Sequence, residues 1–149
     1  MPVHPQDLFA LRSLYEATGG PFSWKAAANW CTAAPLEAWV GVVVDGATGR
    51  VTELWLRANG LVSNGVPDAV GLLSELEVLD LGGNPELGGP VAAALGNLPR
   101  LRTLFLDDCA LDAPAAAAAG AEQVSLRCSS REEVLALFKS VGGTITAKV

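Results

Sequence analysis

The sequence repeats itself with a fixed step, and that repetition constrains the fold more than any single residue does. "VTELWLRANGL" begins at Val51, "LEVLDLGGNPEL" at Leu76 and "LRTLFLDDCAL" at Leu101. Each copy carries Leu at its fourth and sixth positions and Asn or Cys at its ninth. These are Leu54, Leu56 and Asn59, then Leu79, Leu81 and Asn84, then Leu104, Leu106 and Cys109, a step of 25 each time. Two leucines separated by one residue point to the same side of a strand. One such strand cannot bury its own apolar row, so the copies must stack, each strand parallel to the last, with the stack as the folding unit. A buried Asn or Cys after the strand suits the sharp turn that follows, because its side chain can satisfy backbone groups the turn leaves unpaired.

The spacing LxxLxLxx(N/C)xL is that of leucine-rich repeats. It predicts an α/β architecture: a right-handed leucine-rich repeat solenoid with a short, curved parallel sheet. The pattern continues past the third copy in degraded form. Val124 and Leu126 occupy the two leucine positions 20 residues after Leu104 and Leu106, and Ile145 and Ala147 occupy them 21 residues later again. A last strand is therefore expected at "TITAKV". Between these strands the sequence predicts helices. One spans 112–120, with Asp112 near its cap and Gly120 at its end. The other spans 129–143, where Ser130 and Glu133 form a capping box and Gly142-Gly143 stop the helix. The expected organisation is one domain over 1–149, with a cap at 1–50, repeats at 51–128, and a C-terminal helix and last strand at 129–149.

The first third reads as the cover that a solenoid's exposed apolar end requires. "HPQDLFALRSLYEATGG" is an amphipathic helix: Leu8, Leu11, Leu14 and Tyr15 share a face, Pro5 suits the first turn, and Gly19-Gly20 end it. Trp24, Trp30 and Trp39 follow and are expected in the core of the cap. "WVGVVVDGATGRVTEL" then reads as a hairpin, with Val42 and Val44 inward and "DGATG" turning the chain into the first repeat.

With these residues in view, the chain resembles the plant-type leucine-rich repeat proteins with an N-terminal cap, among them receptor-kinase ectodomains and polygalacturonase-inhibitor-like proteins. The resemblance runs over roughly 5–111. It is carried by "ALRSLYEATGG", "PLEAWVGVVVD" with its W-x-G-V element, "GRVTELWL" and the phased repeats. It implies a curved parallel sheet whose concave face binds a ligand. Where the secreted members carry a Cys two residues after the Val of W-x-G-V, this chain has Val44. That difference favours the cysteine-poor, cytosolic-looking branch.

The residues between the paired leucines face away from the core. In order they are Trp55, Asp80, Phe105 and Ser125, with Val43 expected to precede them on the cap hairpin. The next outward row includes Arg57, Gly82, Asp107 and Arg127. Two large aromatics with arginines nearby are the usual anchors of a binding face. The sequence thus nominates Trp55, Arg57, Asp80, Phe105, Asp107 and Arg127 as partner-binding residues, and a protein or peptide as the partner. The plainer reading is local packing, with Trp55 lying flat over Val43 or the stem of Arg57.

Other classes fit less well. The formal charge is −6 and the lysines and arginines are scattered singly, which argues against nucleic acid and anionic membranes. Cys31, Cys109 and Cys128 are irregularly spaced and odd in number, which does not read as a disulfide framework. With no CxxC there is no zinc signature, and Asp107-Asp108 alone is too few oxygens for calcium. The sole histidine, His4, has no visible catalytic partner, and no cysteine has a histidine to activate it. No metal, cofactor or catalytic residue is expected. A protein-binding module comes first, a scaffold segment without a ligand of its own second, and an enzyme last. "MPVHPQDLFA" has no basic stretch leading into an apolar run, which makes a cytoplasmic setting the expectation.

Overall fold

The computed structural model describes residues 4–63, 65–89, 98–106, 108–111, 123–127 and 144–148. The helices expected over 112–120 and 129–143, and residues Asp107 and Cys128, lie outside the described residues.

Strand β1 (Val42–Val44), β2 (Val51–Trp55), β3 (Val78–Asp80), β5 (Thr103–Leu106), β7 (Gln123–Arg127) and β8 (Thr144–Lys148) form one six-stranded sheet in the order β1-β2-β3-β5-β7-β8. The strands from β2 onward are parallel, and β1 alone is antiparallel, paired to β2. Leu54 lies beside Leu79, Leu104, Val124 and Ile145 in unbroken register, so the degraded fourth and fifth copies hold the phase of the first three. Leu54, Leu56, Leu79 and Leu81 are buried, with Leu61, Leu73, Leu76 and Leu87 closing the same core.

Each return segment is extended or tightly turned rather than fully helical. Residues Asp68–Leu72 form a 3-10 turn that buries Val70. Beyond the ladder the chain makes a second, smaller sheet, β4 (Gly88–Gly89) paired in parallel with β6 (Ala110–Leu111), with Ser63 bridging to Leu87 in the first coil.

The ladder residues do the work expected of them. The Asn84 carboxamide oxygen accepts the Asn59 and Leu61 N–H groups at 2.9 and 3.1 Å. Its nitrogen donates to the carbonyls of Leu56, Leu81 and Gly82 at 2.7–3.1 Å. Cys109 donates through Sγ to the Leu81 carbonyl at 3.0 Å. Asn59 has no earlier coil to serve and clamps the cap instead. Its oxygen accepts the Ala26 N–H at 2.6 Å and its nitrogen donates to the Ala26 carbonyl at 2.9 Å.

The cap consists of helix α1 (Pro5–Ala17), a short helix α2 (Gly20–Ser23) and the β1–β2 hairpin. Pro5 opens α1 and Gly19, at φ +81°, ends it in the left-handed region that glycine adopts without strain. Leu11 and Leu14 are buried, and Leu8 and Tyr15 pack against the core. Trp30 and Trp39 are buried with ring centroids 5.2 Å apart, while Trp24 and Tyr15 lean on Trp30 at 4.8 and 6.0 Å. The indole N–H groups of Trp30 and Trp39 each reach a backbone carbonyl, of Val40 and Ala34. A buried carboxylate, Asp7, fastens α1 to the first repeat. It accepts two hydrogen bonds from the Arg50 guanidinium, both at 2.9 Å, and the Val51 N–H at 3.0 Å. Arg50 donates also to Ser74 Oγ, and the hydrogen bond from Asp7 raises the pKa of Arg50 above its ordinary value.

Candidate binding face

On the side of the sheet away from the core, Trp55, Asp80 and Phe105 stand directly side by side on β2, β3 and β5, as the repeat phase predicts. Ser125 and Thr146 continue the row by register. The cap end of this row differs from the expectation. Val43 pairs with Glu53, one row away, and the residue that meets Trp55 is Gly41, whose carbonyl accepts the Trp55 N–H at 2.8 Å. The turn is the cause: a register break between Val43 and Val44 sets Val44 against Val51. Gly41 is at φ +84°, and a Cβ there would run into the Trp55 carbonyl, so the position beside the indole is bare by necessity.

Trp55 is 43% exposed, whereas Trp30 and Trp39 are buried at 4% and 2%. Its indole N–H donates to Glu53 Oε2 at 2.8 Å, which fixes the ring by an acid two residues back on the same strand face. The two charges beside it are coupled. Arg57 donates through Nε to Asp80 Oδ2 at 3.0 Å, and Asp80 Oδ1 accepts the Gly82 N–H at 3.0 Å. Asp80 occupies the outward register but is itself buried, 4% exposed, because Arg57 lies over it. The Arg57 guanidinium carbon also sits 5.7 Å from the centroid of the half-buried Phe105 ring, within cation–π range. Trp55, Arg57, Asp80 and Phe105 therefore form one contiguous group. Arg127 belongs to β7 by its backbone, its side chain is outside the description, and Asp107 is not among the described residues.

A hollow of about 160 Å³ opens at the cap end of this group, between Trp55, Arg57, Gly41, Val40 and the cap residue Lys25. Lys25 was not nominated by the sequence. It is 30 residues from Trp55 and enters the site only because Asn59 clamps its loop. The thiols of Cys31 and Cys109 are free, and burial raises the pKa of Cys31.

No protein-family model matches the chain. A polygalacturonase inhibitor from Pyrus communis is 34% identical over 106 residues, covering 69% of this chain. The chain spans 30% of that inhibitor's length. Among solved structures, the BIR2 ectodomain from Arabidopsis thaliana superposes with a TM-score of 0.69 at 24% identity, over 93% of this chain and 76% of that one. A leucine-rich repeat protein from Bacteroides eggerthii gives 0.68 at 17% identity, over 97% and 45%. The BIR3–SERK2 complex from Arabidopsis thaliana gives 0.61 at 21% identity, over 95% and 78%.

These relatives overturn the cytoplasmic setting expected from the sequence, since a matching chain such as BIR2 is an ectodomain, a part that stands outside the cell. The structure supplies the physical reason that the missing cysteine misled. The cap is closed by the Asp7–Arg50 pair and the stacked aromatics, so Val44 in place of a Cys says nothing about redox compartment. The phased strands, the asparagine ladder, the cap and the pear inhibitor together place this chain among the leucine-rich repeat proteins, in their plant-type form with an N-terminal cap.

Proposed function

We propose that this chain is a protein-binding module that takes a protein or peptide on the concave face of its repeat sheet. Trp55 and Phe105 are the anchors, and Arg57, Asp80, Asp107 and Arg127 set the charge pattern around them. The observation that carries the reading is the contrast among the tryptophans. The cap keeps its indoles in the core or packed against it, while Trp55 holds its ring by a hydrogen bond to Glu53 and leaves it 43% exposed. A fixed aromatic surface loses little freedom on binding, which is what makes such residues effective anchors. The relatives fit this class: one is named for inhibiting a polygalacturonase, and another was solved as a complex of two proteins. The domain is read as one unit over 1–149, with crossovers of the right-handed kind that parallel connections follow almost without exception. Catalysis has no part in the reading. His4 stands at the N-cap of α1 with its Nδ1 buried and unpartnered among the described residues.

The test is selection of displayed peptides on the wild-type protein, counter-selected on a Trp55→Ala, Phe105→Ala double variant. Binders lost on the double variant are expected. A pool that binds both proteins equally, or no pool at all, overturns the reading and favours a scaffold segment. That competing reading draws on β8, which stands at the edge of the sheet.

A further inference from the structure

We infer that the hollow beside Trp55 receives an acidic side chain of the bound polypeptide, with the Lys25 ammonium as its counter-charge. This rests on the binding role proposed above for the sheet face and adds the chemistry of what it recognises. Both charged residues lining the hollow, Lys25 and Arg57, are cationic, although the chain as a whole carries −6. The two cations are in different states. Arg57 is already engaged by the buried Asp80. Lys25 is exposed, and its ammonium makes no ion pair or hydrogen bond among the described residues.

Lys25 is also held in place by its backbone. Its N–H donates to the Asn59 carbonyl at 3.0 Å, and the next residue, Ala26, exchanges two hydrogen bonds with the Asn59 carboxamide. Gly60, at φ +74°, lets the Ser23 carbonyl approach where a Cβ would collide, so the cap loop is pressed onto the first repeat. The lysine stem lies over this glycine, with Cγ 3.7 Å from the place a Cβ would occupy. A cation fixed at its base, without a partner and bordering an exposed indole, presents charge complementarity to a carboxylate at little ordering cost. On the far side of Lys25 a second hollow, of about 250 Å³, contains Glu86, which repels an acid and steers it to the Trp55 side. The bare Gly41 and exposed Val40 leave room for an apolar residue, next to the acidic one in the ligand, to lie along the indole.

The experiment uses random peptides displayed on phage, selected in parallel on wild type, on Lys25→Gln and on the Trp55→Ala, Phe105→Ala double variant. The best wild-type peptide is then synthesised with its acid and with the matching amide, and both are measured by fluorescence anisotropy. We expect Glu or Asp beside an apolar residue to be enriched on wild type and not on Lys25→Gln. We expect the acid-to-amide change to weaken binding to wild type about fivefold at low ionic strength. High salt should shrink that difference, Lys25→Gln should remove it, and Lys25→Arg should retain it. Selected peptides without an acidic position, or an acid preference that survives Lys25→Gln, would overturn this inference and leave the binding face standing. Peptides indifferent to the double variant, or the absence of any selected peptide, would remove the binding face and this inference with it.

Discussion

The cap interior and the sheet face are built from the same parts, an arginine–aspartate pair with tryptophans beside it, and they differ in how much of each part faces water. In the cap, the Asp7 side chain is fully buried and that of Arg50 is 15% exposed, and the carboxylate also takes the Val51 N–H. On the face, the Asp80 side chain is 6% exposed while that of Arg57 is 42% exposed. Trp39 gives its indole N–H to a backbone carbonyl inside the cap, whereas Trp55 gives its own to Glu53 at the surface. Residue type does not separate holding the fold together from meeting a partner. The separation comes from the second member of each pair: where it is also buried the pair fixes chain register, and where it is exposed the pair offers a charge to the outside.

The largest expected effect follows from that difference. Arg50→Ala leaves the Asp7 carboxylate buried without its cation and should cost about 3–5 kcal/mol in denaturant unfolding. Affinity per folded molecule for a Trp55-dependent peptide should be unchanged. A loss of under about 1 kcal/mol would mean water reaches Asp7 and would erase the contrast between the regions. Next comes Asn84→Ala, which strands the N–H groups of Asn59 and Leu61 and three carbonyls together. It should cost about 3 kcal/mol in the same measurement, since each stranded buried group costs about 1–3 kcal/mol unless water replaces the partner. The equivalent change at Asn59 should cost less, because its partners lie in the half-buried cap loop.

Trp55→Ala inverts the pattern. It should weaken binding of a selected peptide by about 2 kcal/mol. It should shift unfolding by less than about 1 kcal/mol, as befits a side chain already 43% exposed. If the larger change appears in stability, the indole belongs to the packing of the sheet and the two regions do the same job.

What could be read from the sequence was whatever the backbone repeats. The leucine alternation gave the strands, and phase alone located β7 and β8, where Val124, Leu126, Ile145 and Ala147 keep register without a full motif. The row Trp55, Asp80, Phe105 was legible for the same reason. Features set by contacts distant along the chain were not. Asp7 looks like an acid placed for the helix dipole, and nothing nearby announces a partner 43 residues away. Gly88-Gly89 and Ala110-Leu111 are too short to show alternation, so the second sheet was invisible. The row next to Trp55 shifted because one break in register at Val43/Val44 changes which residue faces which. Asp80 was legible as outward but not as covered, since its cover, Arg57, comes from the preceding coil.

A third ion pair extends the comparison to its weak end. Arg100 Nε lies 3.2 Å from Glu75 Oε2, a shorter separation than many functional contacts, yet its side chains are 64% and 35% exposed. Distance alone would rank it near the pair at Asp80. Exposure predicts otherwise, because water competes for both ends, salt screens them, and two long side chains lose freedom to meet. Arg100→Ala should therefore move the unfolding free energy by no more than about 0.5 kcal/mol. That small change should vanish in high salt, where the loss in Arg50→Ala persists. A salt-insensitive loss at Arg100 comparable to that at Arg50 would show that geometry, not access to water, sets the strength of ion pairs in this protein, and the distinction between cap and face would have to rest on the aromatics alone.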